Sequence, residues 1–115
     1  KYNEAFKDFP CFVPSEPEPN TKHAYHLYTP LIDITRVKSR DWVLNALTAE
    51  NIGVGVHYLP VHFHPFYRKT FGWKKGDFLN AEWIGERTLS LPLSAKLTED
   101  DVEDVIIAFQ KVLTQ

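Results

Sequence analysis

The sequence predicts an α/β domain of the two-layer α+β kind: a small sheet of three to four strands, antiparallel or mixed, with helices packed on one face. Three observations predict it. Helical and strand-like segments alternate along the chain. Each predicted helix carries a single apolar stripe, which has to be buried against another layer. The length, 115 residues, suits one domain with one core.

The elements follow in order. In residues 1–9, Tyr2, Ala5, Phe6 and Phe9 fall at helical spacing, as in the tail of a helix. Pro14, Pro17 and Pro19 then forbid a helix and favour an extended strap over Cys11–Thr21. His23–Ile34 reads as a strand, dense in β-favouring aromatics, with Pro30 best placed at an edge or bulge. Ser39 is a plausible N-cap for a helix from Arg40 to Glu50 whose buried stripe is Trp42, Val43, Ala46 and Leu47. Asn51 and Gly53 supply its stop. Val54–Tyr58 reads as a second strand, glycine-rich enough to let another backbone or a ligand come close.

Pro60–Asp77 reads as a loop with one helical turn near Pro65–Lys69. Phe78–Arg87 reads as a short helix weakened by Gly85, and Thr88–Leu91 as a short strand that Pro92 ends. Thr98 caps the clearest helix, with Asp101 in the capping-box position. Its stripe is Val102, Val105, Ile106, Phe109, Val112 and Leu113.

Composition narrows function. A net charge of -2 without a basic stripe argues against a nucleic-acid surface. No apolar run approaches the ~18 residues of a membrane helix. Cys11 is alone, which excludes an intramolecular disulfide and fits a reducing compartment. The chain has no methionine, even at position 1, so it is expected to be a fragment of something longer.

Chemistry concentrates in Gly53–His62. Two histidines and a tyrosine sit where a strand opens into a loop, and imidazole and phenol groups there can bind, orient or exchange protons. Aromatic content of 14% is high, and much of it surrounds this loop. On residue type alone, His57 and Tyr58 read as a core histidine beside a packing aromatic. His57, His62 and His64 also offer three imidazoles to a metal. Their spacing matches no helical i,i+4 pair and no carboxylate is near before Asp77, so no metal site is expected.

The run Ile52-Gly53-Val54-Gly55-Val56-His57-Tyr58-Leu59-Pro60-Val61-His62 resembles the "GI…HY-x-P-x-H" signature of the sugar aminotransferases named after DegT, DnrJ, EryC1 and StrS. Ala24-Tyr25-His26-Leu27-Tyr28 resembles the strand that opens that family's C-terminal domain. Tyr67 resembles the tyrosine that follows the second histidine. Ala81-Glu82 through Glu86-Arg87-Thr88-Leu89-Ser90-Leu91-Pro92-Leu93 resembles its "AE…ER-x-LSLPL" segment. Thr98-Glu99-Asp100-Asp101-Val102 resembles the start of its last helix, so the likeness spans about residues 20–113. His64 stands where the family more often has glutamine.

The resemblance implies the small domain of a fold-type I pyridoxal-phosphate enzyme, with residues 1–22 the end of an inter-domain helix and a linker, and 23–115 the C-terminal domain proper. Such enzymes are usually cytoplasmic homodimers that move an amino group from glutamate to a keto-sugar nucleotide, in the making of polysaccharide or glycan precursors. The Schiff-base lysine and most pyridoxal-phosphate contacts would lie in a large domain that no segment here resembles. The fragment alone is therefore expected to be inactive. The resemblance places His57, Tyr58, His62 and Tyr67 at the substrate. Glu82 and Arg87 are left to structural pairing. The alternatives are a stand-alone binding or dimerisation module, and a parent that dehydrates sugars instead.

Overall fold

A computed structural model describes all 115 residues. The elements are α1 (Tyr2–Phe6), β1 (Cys11–Phe12), β2 (Leu31–Ile32), α2 (Arg40–Ala49), a 3-10 turn (Val61–Phe63), α3 (Pro65–Phe71), α4 (Leu79–Gly85) and α5 (Glu99–Leu113). No helix is long and apolar enough to cross a membrane.

The two-layer α+β class is the one observed, with a sheet smaller than expected. β1 and β2 pair antiparallel, with Cys11 opposite Ile32 and Phe12 opposite Leu31. Beyond them the sheet continues only as single antiparallel bridges: Tyr28 to Leu91, Leu31 to Thr88, and Gly55 to Ser90. The run 88–91 thus lies between the β2 region on one side and Gly55 on the other.

Two expected strands shrink for identifiable reasons. Over His23–Ile34, Tyr25 takes a positive φ of 47°, a left-handed conformation that no strand contains. Pro30, fully buried, has no N–H to give the ladder and interrupts it between Tyr28 and Leu31. Val54–Tyr58 pairs only through Gly55, whose N–H and C=O bond Ser90 at 3.3 and 2.8 Å.

The helices form where their caps predict. The Trp42 N–H donates to Ser39 Oγ at 3.1 Å, and Val43 and Leu47 of α2 are fully buried. Asn51, at φ 63°, takes the left-handed stop, and the Ile52 N–H closes on Leu47 O at 2.9 Å. Gly53 is not needed for it. At α5, the Asp101 N–H donates to Thr98 Oγ1 and the Thr98 N–H to Asp101 Oδ2, the reciprocal capping box. These bonds from Thr98 hold the Asp101 carboxyl below its ordinary range.

The core lies between α1, α2 and α5 and one face of the strands. Tyr28, Pro30, Ile32, Leu89 and Leu91 point into it, while Thr88 and Ser90 alternate to the other side. Phe6 meets Phe109 edge-on at 4.6 Å, and Tyr2 meets Tyr28 at 4.9 Å. The Tyr2 hydroxyl donates to Pro92 O at 2.9 Å, and Gln110 Nε2 to Ala5 O at 2.8 Å. Tyr2 and Phe6 therefore belong to this core, with Ala5, Phe9 and Cys11 packed against it. Burial pushes the Cys11 thiol up to about 11, so it is no nucleophile at neutral pH.

Gly85 ends α4 against Pro60. A Cβ there would collide with Pro60 Cγ and Cδ, ring atoms that cannot swing aside. Gly→Ala normally favours a helix by up to about 1 kcal/mol. Here overpacking should reverse the sign. Gly85→Ala is expected to destabilise the fold by about 1–3 kcal/mol in urea unfolding.

Candidate functional site

His57 follows the Gly55–Ser90 bridge by two residues, so the sheet fixes where its ring sits. Its Nδ1 lies 2.8 Å from Ser90 Oγ. The Ser90 hydroxyl in turn donates to Gly55 O at 3.3 Å. A Cβ on Gly55 would approach His57 Cε1 to 3.0 Å and Ser90 Oγ to 3.4 Å, so glycine leaves room for the ring. The sequence predicts a close approach at this glycine, and what approaches is the chain's own imidazole. Tyr58 follows through a cis peptide bond, is 71% exposed, and packs edge-on to His57 at 4.7 Å.

His57 also lines a groove of about 540 Å³ beside the strands, to which Ile84 of α4 contributes. Phe12, Leu31 and Ile84 give it an apolar floor, and Thr29, Thr88, Glu16 and His23 give it polar groups. The proline strap, expected to be an extended linker, forms the opposite wall through Val13–Pro17.

His62 and Tyr67 are placed elsewhere. His62 is only 3% exposed, with Nε2 3.0 Å from Glu82 Oε1 and its ring between Phe63 and Phe78. Glu82, itself buried, also accepts the Gly76 N–H at 2.6 Å. Tyr67 is half-buried in an aromatic stack, parallel to Trp73 within 3° and beside Phe71. Trp73 meets Phe78, which meets His62. One continuous aromatic cluster thus joins Tyr67 to His62, and Glu82 ties it to α4. No hydrogen bond or ring contact joins this cluster to His57 or Tyr58. The predicted quartet therefore does not meet in one place: His57 and Tyr58 pack on each other beside Ser90, and His62 and Tyr67 belong to the aromatic cluster that braces the loop.

Sequence reading leaves Ser90 and Glu82 without a site role. Their only signal is membership of the Ala81–Leu93 motif, because each acts on a partner far away in the chain. No group of three or more His, Cys, Asp and Glu side chains comes together to hold a metal. His62 Nε2 is engaged with Glu82, and His64 is exposed at the start of α3.

Burial alone would raise the Glu82 carboxyl. The Gly76 amide, His62 and the Phe78 amide more than offset it and hold the group below its ordinary 4.5. A carboxyl lowered by folding adds stability above its unfolded value, and that contribution disappears as pH falls through the folded value. The melting temperature of the wild type should therefore exceed that of Glu82→Gln above about pH 5, and the gap should close on acidification below the ordinary 4.5. Thermal unfolding of both proteins across this range checks it.

The family described as "DegT/DnrJ/EryC1/StrS aminotransferase family" matches residues 1–110. An uncharacterised protein of Methanocaldococcus jannaschii is 49% identical over 99% of the chain, and the spore coat polysaccharide biosynthesis protein SpsC of Bacillus subtilis is 41% identical over 98%. The chain spans about 30% of the length of each. Among solved structures, Helicobacter pylori PseC, an aminotransferase involved in the biosynthesis of pseudoaminic acid, aligns at TM-score 0.84 and 27% identity. That alignment covers 98% of this chain and 30% of PseC. DesV of S. venezuelae aligns at TM-score 0.87 and 27% identity over 99% of this chain and 29% of its own. The Streptococcus pneumoniae protein Spr1654, solved in a PLP form, has the same fold at TM-score 0.87 and 23% identity, over 98% of this chain and 29% of its own. With its family model matched over residues 1–110, the chain belongs to the DegT/DnrJ/EryC1/StrS aminotransferase family.

Proposed function

We propose that this chain is the C-terminal small domain of a pyridoxal-phosphate-dependent aminotransferase that moves an amino group from glutamate to a keto-sugar nucleotide, for polysaccharide or glycan precursors. The observation that carries this reading is the family match along almost the whole chain. The names of SpsC and PseC, which point to polysaccharide and sugar-acid synthesis, support the sugar acceptor.

The residues present do not fit the cofactor's covalent site. Every lysine of the chain is exposed, and none stands in a pocket that would desolvate an amine. This chain alone is accordingly inactive, and the lysine comes from the large domain of a homodimeric, cytoplasmic parent. When bound there, the cofactor supplies the electron sink that amino transfer needs. The chain's own part is to bind and enclose. His57 and Tyr58 present an imidazole and an exposed phenol to the acceptor. The His62–Tyr67 cluster serves the substrate indirectly, by holding the loop that carries them, and the domain excludes water as it closes.

The test is an absorbance spectrum of the enzyme containing this chain, with pyridoxal phosphate, before and after glutamate. The bound-cofactor band should fall with glutamate and return with the keto-sugar nucleotide. A band that glutamate never changes overturns the amino-donor reading. In the same enzyme, His57→Ala with Tyr58→Phe should raise KM for the sugar nucleotide about tenfold or more, the loss of one to two hydrogen bonds. An unchanged KM removes both residues from the substrate.

A further inference from the structure

We propose that Ser90 is a positioning residue: it fixes the His57 imidazole as the Nδ1–H tautomer and leaves Nε2 free to accept a hydrogen bond from a sugar hydroxyl. The inference rests on the aminotransferase reading for its ligand, but not for its geometry.

The Ser90 hydroxyl has one proton and two neighbours, Gly55 O at 3.3 Å and His57 Nδ1 at 2.8 Å. A carbonyl oxygen can only accept. If the Ser90 proton goes to Gly55 O, the short contact to His57 is a hydrogen bond only when Nδ1 carries its own proton. The opposite assignment leaves the Ser90 Oγ–Gly55 O contact without a proton, and Gly55 O then keeps only the Ser90 N–H at 2.8 Å. The first arrangement satisfies both contacts, so it is the one the geometry supports.

The seat is rigid. Gly55 and Ser90 are locked to each other by two backbone hydrogen bonds, at 3.3 and 2.8 Å. Ser90 is 7% exposed, and a methyl at Gly55 would press on both the ring and the hydroxyl. Tyr58 closes on the ring edge-on. Nδ1 is thus committed inward, and Nε2 has no partner in the protein.

The groove beside His57 indicates the ligand's chemistry. It is lined by Thr29, Thr88, Glu16 and His23 over an apolar floor, with no lysine or arginine. Such a lining suits a neutral polyol and offers nothing to a diphosphate. The hexose of a nucleotide sugar fits this description, and an alcohol O–H is the donor that an unprotonated Nε2 accepts.

Nitrogen-15 NMR of the histidine rings tests the tautomer directly. Spectra are taken about two pH units above the ordinary histidine value of about 6.5. His57→Gln identifies the signal. Wild-type His57 should show a protonated, pyrrole-type Nδ1 and a pyridine-type Nε2, and Ser90→Ala should shift it toward the Nε2–H form. A wild-type ring protonated on Nε2 overturns the proposal without reference to any variant. So does a Ser90→Ala ring with an unchanged tautomer. In the complete enzyme, Ser90→Ala should raise KM for the sugar nucleotide about tenfold while the glutamate half-reaction keeps its rate. Equal losses in both halves would mark a merely structural serine and overturn the role. The NMR result stands whether or not glutamate changes the cofactor band, so the two readings fail separately.

Discussion

The run Thr88–Leu91 is bonded along both edges, and its register decides both the core and the site. On one edge it meets Tyr28 and Leu31, on the other Gly55. Side chains along an extended run alternate between faces, so Leu89 and Leu91 enter the core while Thr88 and Ser90 turn away from it. A slip of one residue would turn the hydroxyls into the apolar core and the leucines out of it. The same slip would remove Ser90 from His57. The requirement for a dry core therefore also fixes the chemistry on the outer face.

So little regular sheet cannot hold the domain together by hydrogen bonding alone. A net hydrogen bond contributes about 0.5–1.5 kcal/mol, whereas a fully buried large apolar side chain contributes about 1.5–3 kcal/mol. Phe6, Ile32, Leu47, Leu89 and Phe109 are all completely buried, and they come from α1, the strands, α2 and α5. Burial across the layers thus outweighs the broken ladder, and the sheet tolerates Pro30 at its centre. The cost falls on the outer face, where strands stop early and leave a groove.

The second half of the molecule is held differently. α4 grips the loop at two points: Gly85 against Pro60, and Glu82 on His62 and the Gly76 amide. Between these points the aromatic rings of Tyr67, Trp73 and Phe78 stack into one another. His62 is consequently buried and bonded to Glu82 while His57 is only half-buried, although the two stand five residues apart in one motif. Proximity along the chain says nothing here about shared exposure.

What the sequence determined by itself is local. The caps of α2 and α5 need only Ser39 with Trp42 and Thr98 with Asp101, partners three residues apart, so their chemistry is legible from spacing. The apolar stripe of α5 likewise reports its buried face, because a helix repeats within a single turn or two. The motif around His57 and His62 marked the region and the family. Tertiary structure alone decided which imidazole is accessible, because the partners are distant: Ser90 is 33 residues from His57, and Glu82 is 20 from His62. It also decided where strands end, since Tyr25 turns left-handed and Pro30 breaks the ladder in surroundings that no local propensity encodes. Short-range hydrogen bonds can be read from residue spacing, but contacts across the sheet exist only once burial has brought the segments together.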